Sequence, residues 1–185
     1  MKKIFVAALA ASVFATPAYA QSATASDSFQ ISANVQNECS IDDPSNVTLD
    51  VSINEASGQN ALKINGSDST LQNIWVSCNY NANLTVDAAE LVNLAGASLV
   101  DNDPLDFTNK IAYFIKLEPN SGNNGTPFPH VTANTKNGPA STTKQATGAF
   151  HDFARLNVVL PQGDQTKRPV AGDYTAIATI TLGAS

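Results

Sequence analysis

The chain has 185 residues, with ten Lys and Arg against sixteen Asp and Glu, which gives a formal net charge of −6. This length is enough for one domain with a substantial core but short for two. The acidic balance argues against nucleic acid or an anionic membrane surface as the partner.

The first twenty residues predict a cleavable export signal. A short basic start precedes an apolar run from Ile4 to Phe14, and residues 18–20 (Ala-Tyr-Ala) form a small-x-small cleavage site. We expect cleavage before Gln21. Cleavage there removes two of the ten basic residues and makes the mature chain more acidic.

An alternating segment follows the predicted signal. Its apolar side chains, Phe29, Ile31, Ala33 and Val35, fall on one face of an extended strand. A strand at the start of a mature chain can pair within its own sheet, or it can complete the sheet of a neighbouring molecule. The second arrangement would make the protein a polymer subunit.

Cys39 and Cys78 are the only cysteines. An exported chain meets an oxidising compartment, where two thiols usually form one disulfide. We therefore predict a Cys39–Cys78 disulfide, with two free buried thiols as the alternative. The cysteines and the distant His130 and His151 have no recognised zinc-ligand spacing, so we expect no metal and no cofactor.

The distribution of apolar residues predicts an all-β fold. Short runs rich in Val, Ile and Thr are separated by Gly, Asn, Asp and Pro, as in antiparallel sandwiches, and long helical periodicity is missing. The predicted strands are Phe29 to Val35, Cys39 to Leu49, Leu71 to Cys78, Leu84 to Ala88, Ile111 to Leu117, Arg155 to Leu160 and Tyr174 to Leu182.

Three stretches interrupt this pattern. Residues 52–70 and 119–149 are rich in Ser, Asn, Gly and Thr, and they are predicted to be loops that hold short strands at most. Residues 91–100 are compatible with a helical turn or with an edge strand.

The last predicted strand has one apolar face, formed by Tyr174, Ala176, Ala178, Ile180 and Leu182. Only three residues follow Leu182, so we expect nothing behind this strand to pair with its far edge. An uncovered edge is a liability in a monomeric sandwich. We therefore expect something outside the domain to cover it.

Few side chains suggest catalysis. A triad could be assembled from Ser141, a histidine (His130 or His151) and Asp152, because such residues need not be adjacent in sequence. The chain carries no nucleophile-elbow signature, however. We predict that the protein is not an enzyme.

Two acidic clusters and one tryptophan complete the candidates. Residues 42–43 and the aspartates of residues 101–106 lack the spacing and the later Glu of a calcium loop, so we interpret them as solvated surface carboxylates. We expect Trp75 to pack in or beside the core rather than to bind a ligand.

Three short motifs occur in a fixed order. The alternating segment runs into residues 37–41 (Asn-Glu-Cys-Ser-Ile), residues 74–78 are Ile-Trp-Val-Ser-Cys, and residues 171–174 (Ala-Gly-Asp-Tyr) precede the alternating residues 179–182. In this order the chain resembles the subunits of archaic chaperone-usher pili, the group that includes the spore coat protein U domain. The resemblance covers both ends and the first half, and it hardly touches residues 90–150.

The resemblance implies an incomplete immunoglobulin-like β-sandwich that lacks its last strand. Residues 21–36 would be an N-terminal donor strand and residues 37–185 the pilin domain. A groove along the last strand would accept the donor strand of a neighbour. The residues of this groove would be Tyr174, Ala178, Ile180 and Leu182. Family members often finish on an aromatic residue, which this chain does not.

The implied partners are identical subunits in a linear polymer, a periplasmic chaperone and an outer-membrane usher. The implied location is the cell surface, reached through the periplasm, and the implied role is a fimbrial shaft subunit that supports adhesion and biofilm formation. The alternative is a self-complete secreted binding module for carbohydrate or calcium that uses the Asn-rich loops.

Overall fold

A computed structural model describes residues 26–120, 127–161 and 166–183. These residues form a mainly antiparallel β-structure with one short helix, α1 (Ala97–Val100), and one 3-10 turn (Thr135–Asn137). The strands are β1 (Cys39–Ile41), β2 (Asp68–Cys78), β3 (Asn83–Ala88), β4 (Leu91–Val92), β5 (Phe107–Thr108), β6 (Lys110–Ile111), β7 (Phe114–Pro119), β8 (Val131–Asn134), β9 (Ala140–Gln145), β10 (Phe150–Leu160), β11 (Arg168–Pro169) and β12 (Ala178–Gly183).

The strands of the described residues form two main sheets. The larger has five strands in the order β1-β2-β10-β7-β8, and the smaller has three in the order β12-β3-β9. Every pairing within these two sheets is antiparallel. Two short pairs lie outside these sheets: β4 with β6 is antiparallel and β5 with β11 is parallel. The predicted all-β class is confirmed.

Side chains of both sheets share one core. Leu84 and Val86 of the three-stranded sheet are fully buried, as are Val76, Leu117 and Val131 of the five-stranded sheet, and all five belong to the same cluster. Burial of each such side chain stabilises the fold by about 1.5–3 kcal/mol. This core therefore holds the two sheets together.

The disulfide joins the first two strands. Cys39 of β1 lies directly opposite Cys78 of β2, and the two sulfurs are bonded. The predicted Cys39–Cys78 pairing is confirmed.

The predicted strand Cys39 to Leu49 is wrong beyond Ile41. The Asp42 amide donates to the Trp75 carbonyl, and an Asp42 carboxylate oxygen accepts from the Trp75 amide. The side chain thus takes the place of a main-chain partner, and Pro44 offers no amide to continue the ladder.

The predicted strand Ile111 to Leu117 is interrupted. It is divided into β6 and β7, because the Tyr113 amide bonds the Thr135 hydroxyl while the Tyr113 carbonyl accepts from Thr135. Thr135 is completely buried, so these side-chain bonds replace part of the ladder in the interior.

The stretch from residue 119 to residue 149, predicted to be a loop that could hold short strands, does hold them. It contains β8 and β9, each of which pairs with a neighbouring strand, while residues 121–126 lie outside the described part. Both alternatives for residues 91–100 occur, because β4 begins the stretch and α1 ends it.

The predicted strand from Phe29 to Val35 is not a strand here. Residues 26–38 contain neither helix nor strand. The predicted signal, residues 1–20, lies outside the described part of the chain. No helix among the described residues is long and apolar enough to cross a membrane.

Candidate functional site

The strand β12 lies at the margin of the three-stranded sheet. It pairs with β3 over its whole length, and within the described ranges no strand pairs with its other side. An unpaired strand edge presents a row of amide and carbonyl groups that can template another strand.

The register of β12 determines which of its side chains face the core. Ile180 lies opposite Val86, and Leu182 lies opposite Leu84. Residues directly opposite each other in an antiparallel pair share one face of the sheet. Ile180 and Leu182 therefore point to the same side as two completely buried residues.

The core face of β12 is nevertheless partly open to solvent. Ala178 is exposed, and Ile180 and Leu182 are only half-buried, although both belong to the periphery of the core cluster. We call Ala178, Ile180 and Leu182 the β12 edge. Its apolar side chains point toward the core, but they remain partly exposed to solvent.

The margin of the five-stranded sheet lies nearby. Its edge strand β1 contacts β12, and Cys39 and Ile41 of β1 pack against the same core as Ile180 and Leu182. The edges of both sheets therefore meet on one side of the core.

Tyr174, the fourth residue predicted for the groove, lies before β12. Its hydroxyl donates to the Val170 carbonyl at 2.7 Å, and its ring packs against a second, smaller cluster of Ile64, Ile111 and Leu160. Burial raises the pKa of the Tyr174 hydroxyl above its ordinary value. Tyr174 thus anchors the segment that leads into β12.

Sequence reasoning missed Asn93, which lies beside that segment. Its side chain is almost completely buried, its amide nitrogen donates to the Ala171 carbonyl at 3.0 Å, and its amide oxygen accepts from the Gly96 amide at 2.8 Å. The contact with Ala171 spans 78 positions of sequence, so no local pattern could have indicated it.

Sequence reasoning also missed the contacts of Arg168. Its guanidinium bonds the carbonyls of Gln59 and Ala61 and forms an ion pair of 2.8 Å with Asp106. The Lys167 ammonium donates to the Pro104 carbonyl. These contacts fasten the segment before β12 to two distant loops.

The alternating N-terminal segment exposes its large side chains. Phe29, Ile31 and Val35 are 84%, 82% and 79% exposed, and Ala33 is exposed as well. Several large apolar side chains exposed in one short segment indicate an interaction surface.

The residues just before β1 are held by hydrogen bonds to Asn79. The Asn79 side chain accepts from the Glu38 amide and donates to the Gln36 carbonyl, while the Asn79 amide donates to the Glu38 carbonyl. The chain is therefore fixed in place immediately before Cys39.

His151 and Ser141, two of the candidate catalytic residues, lie on different sheets. His151 stacks on Trp75 on the outer face of the five-stranded sheet, whereas Ser141 lies opposite Asp87 on the outer face of the other sheet. Asp152 accepts a hydrogen bond from the Phe153 amide. The histidine and the serine thus lie on opposite outer faces.

The remaining candidates have structural contacts. Trp75 is 38% exposed and packs against His151 and Phe153, and His130 lies 3.8 Å from a carboxylate oxygen of Glu118. In the part of the chain that the structure describes, no group of three or more His, Cys, Asp or Glu side chains could hold a metal ion.

Comparison with known proteins adds no family assignment. No protein-family model matches the chain, and no curated protein matches it significantly. The donor role of the N-terminal segment and the acceptor role of the β12 edge therefore stay predictions.

Proposed function

We propose that this protein is a structural subunit that polymerises by donor-strand complementation. The segment carrying Phe29, Ile31, Ala33 and Val35 of one copy adds as a strand to the β12 edge of the next copy. In this proposal the domain is an incomplete immunoglobulin-like sandwich, and the inserted strand supplies the missing strand of the smaller sheet, beside β12.

The observation that carries the proposal is that side chains of β12 point toward the core and yet remain partly exposed to solvent. Ile180 and Leu182 have core-facing partners in β3 and are still half-exposed. An added strand would bond the free edge through its backbone and fill the space beside these residues with alternate side chains.

The N-terminal segment has the properties that such a strand requires. It has the period-two apolar pattern, it has no secondary structure of its own, and its large side chains are exposed. Full burial of Phe29, Ile31 and Val35 would contribute about 1.5–3 kcal/mol each before the cost of ordering the segment. Backbone hydrogen bonds along the free edge of β12 would add to this contribution.

The proposed biological role follows the resemblance of the termini to archaic chaperone-usher pili. We propose a fimbrial shaft subunit that is exported through the periplasm, held by a chaperone and assembled at an outer-membrane usher. The resulting polymer at the cell surface would support adhesion and biofilm formation.

A complementation experiment tests the polymer. The mature wild-type chain should give a ladder of species in SDS that dissociates on boiling. The donor variant Ile31→Asp and the acceptor variant Ala178→Asp should each fail to form the ladder, because each places a charge in the junction. Ala178 is exposed, so its replacement spares the folded core.

Mixing the two variants makes the experiment specific. The intact donor of Ala178→Asp should enter the intact groove of Ile31→Asp and give a dimer that cannot grow. Thr181→Asp is the matched control, because Thr181 lies on β12 opposite Thr85, on the outer face, and it should keep the ladder. A ladder that persists in Ile31→Asp would refute the proposal.

A further inference from the structure

The register between β12 and its neighbours changes just before β12 begins. Thr175 pairs with Val92, and Ala178 pairs with Ala88. From the first pair to the second, the chain advances three residues on the β12 side (175 to 178) and four on the other side (92 to 88). The extra residue is a bulge, so the ladder alone does not carry the register from one pair to the other.

A one-residue slip at this point would exchange the faces of β12. Because side chains alternate with a period of two, a slip would turn Ile180 and Leu182 outward and bring Thr179 and Thr181 toward the core. The β12 edge would then lose its apolar character. A side-chain contact next to the bulge would add to the hydrophobic pattern in fixing the register.

Asn93 lies at this position, next to Val92. It bonds the Ala171 carbonyl and the Gly96 amide through its side chain, and its own amide and carbonyl both bond Asn109. The side chain therefore links the segment that leads into β12 to the strand pair across which the register changes.

Two glycines allow the close approach of Asn93. Gly172 has φ +134°, and a Cβ there would lie 2.4 Å from the amide nitrogen of Asn93. A Cβ at Gly96 would lie 2.7 Å from the same nitrogen and 2.7 Å from a methyl group of Val170. No residue with a side chain fits at either place unless Asn93 moves, so the geometry holds the chain in one position.

We propose that Asn93 is a positioning residue that fixes the register of β12 and so determines which side chains the strand-accepting edge presents. The consequence for assembly rests on the proposed function, but the register itself can be measured without any assembly.

The register is measured on the full mature chain carrying Ile31→Asp, which keeps it from donating. In this background Asn93→Ala should make the amides of β12 exchange with solvent about tenfold faster or more, because the strand loses its fixed position. The amides of β2 and β10 should exchange as before. The contact between Thr181 and Thr85, seen by nuclear Overhauser effect, should weaken.

Gly172→Ala perturbs the same contact from the other side, and Gly138→Ala is its matched control. Both glycines have positive φ, but a Cβ at Gly138 meets nothing within 4 Å. Gly172→Ala should therefore reproduce the Asn93→Ala result, and Gly138→Ala should leave β12 unchanged. If Asn93→Ala does not fold, Asn93→Asp tests the bond to Ala171 and keeps an acceptor for Gly96.

Assembly is measured separately, with the donor residue restored. Asn93→Ala should slow ladder formation by about tenfold or more, since a shifted strand would present threonines instead of Ile180 and Leu182 to the donor. Unchanged β12 exchange in both Asn93→Ala and Gly172→Ala, or an equal change in Gly138→Ala, would overturn the positioning role. A wild-type chain that makes no ladder would refute the proposed function and leave the exchange result to decide the role of Asn93.

Discussion

The strands β2 and β12 differ in what surrounds them. β2 lies between β1 and β10, and its core-facing residues Ile74 and Val76 are buried. In β12 the core-facing Ile180 and Leu182 are only half-buried, because β3 is its one partner among the described residues.

The direction in which a side chain points and its burial usually occur together, but they have different causes. The alternation of a strand determines which side chains face the core, whereas burial depends on the strands on both sides. Where core-facing side chains remain exposed, the exposed surface marks a position at which another strand fits.

The largest expected effect concerns the better-covered sheet. Replacing both Cys39 and Cys78 with Ala removes the covalent link between β1 and β2. The two cysteines are 39 positions apart in sequence. In the chain-entropy account, this should lower the free energy of unfolding by about 4 kcal/mol. Urea denaturation of the Ile31→Asp background measures it. A loss below about 1 kcal/mol would show that β1 is held by other contacts.

The second prediction compares two leucines that lie opposite each other. Leu84→Ala should lower the free energy of unfolding by about 3 kcal/mol or more, because Leu84 is completely buried. Leu182→Ala should lower it by only about 1 kcal/mol in the unassembled chain, although Leu182 lies opposite Leu84. In assembled material the cost of Leu182→Ala should rise toward that of Leu84→Ala. Equal costs in the unassembled chain would contradict an open β12 edge.

A smaller effect is expected where the chain leads into β12. Tyr174→Phe removes the hydroxyl that donates to Val170, which should lower the free energy of unfolding by about 1 kcal/mol. Ile177→Ala is the control, because Ile177 is 80% exposed and its truncation should change stability by less than about 0.5 kcal/mol. The urea midpoints of both variants measure the difference.

The sequence predicted best those strands whose apolar residues alternate and become buried. In β3, Leu84 and Val86 alternate with Thr85 and Asp87, and the strand lies where it was predicted. The position of β9 was not predicted, because its inward residues include Thr142 opposite Val86, and a threonine there gives no apolar signal.

Contacts between distant residues explain the other failures. The end of β1 depends on the hydrogen bonds between Asp42 and Trp75, and the segment before β12 depends on Asn93 and Arg168. A polar residue in an Asn-rich chain gives no local sign that it will be buried against a carbonyl far away in sequence. The apolar face of β12, in contrast, was visible in its alternation alone.

The position of the disulfide has a mechanical consequence for a filament built as proposed. Tension applied to the N-terminal segment reaches the domain at Gln36 and passes within a few residues to Cys39. There the covalent bond transfers the load directly to Cys78 at the end of β2, one of the two longest strands in the described part of the chain. The pulling force therefore bypasses the three-residue β1, which would otherwise peel away one hydrogen bond at a time.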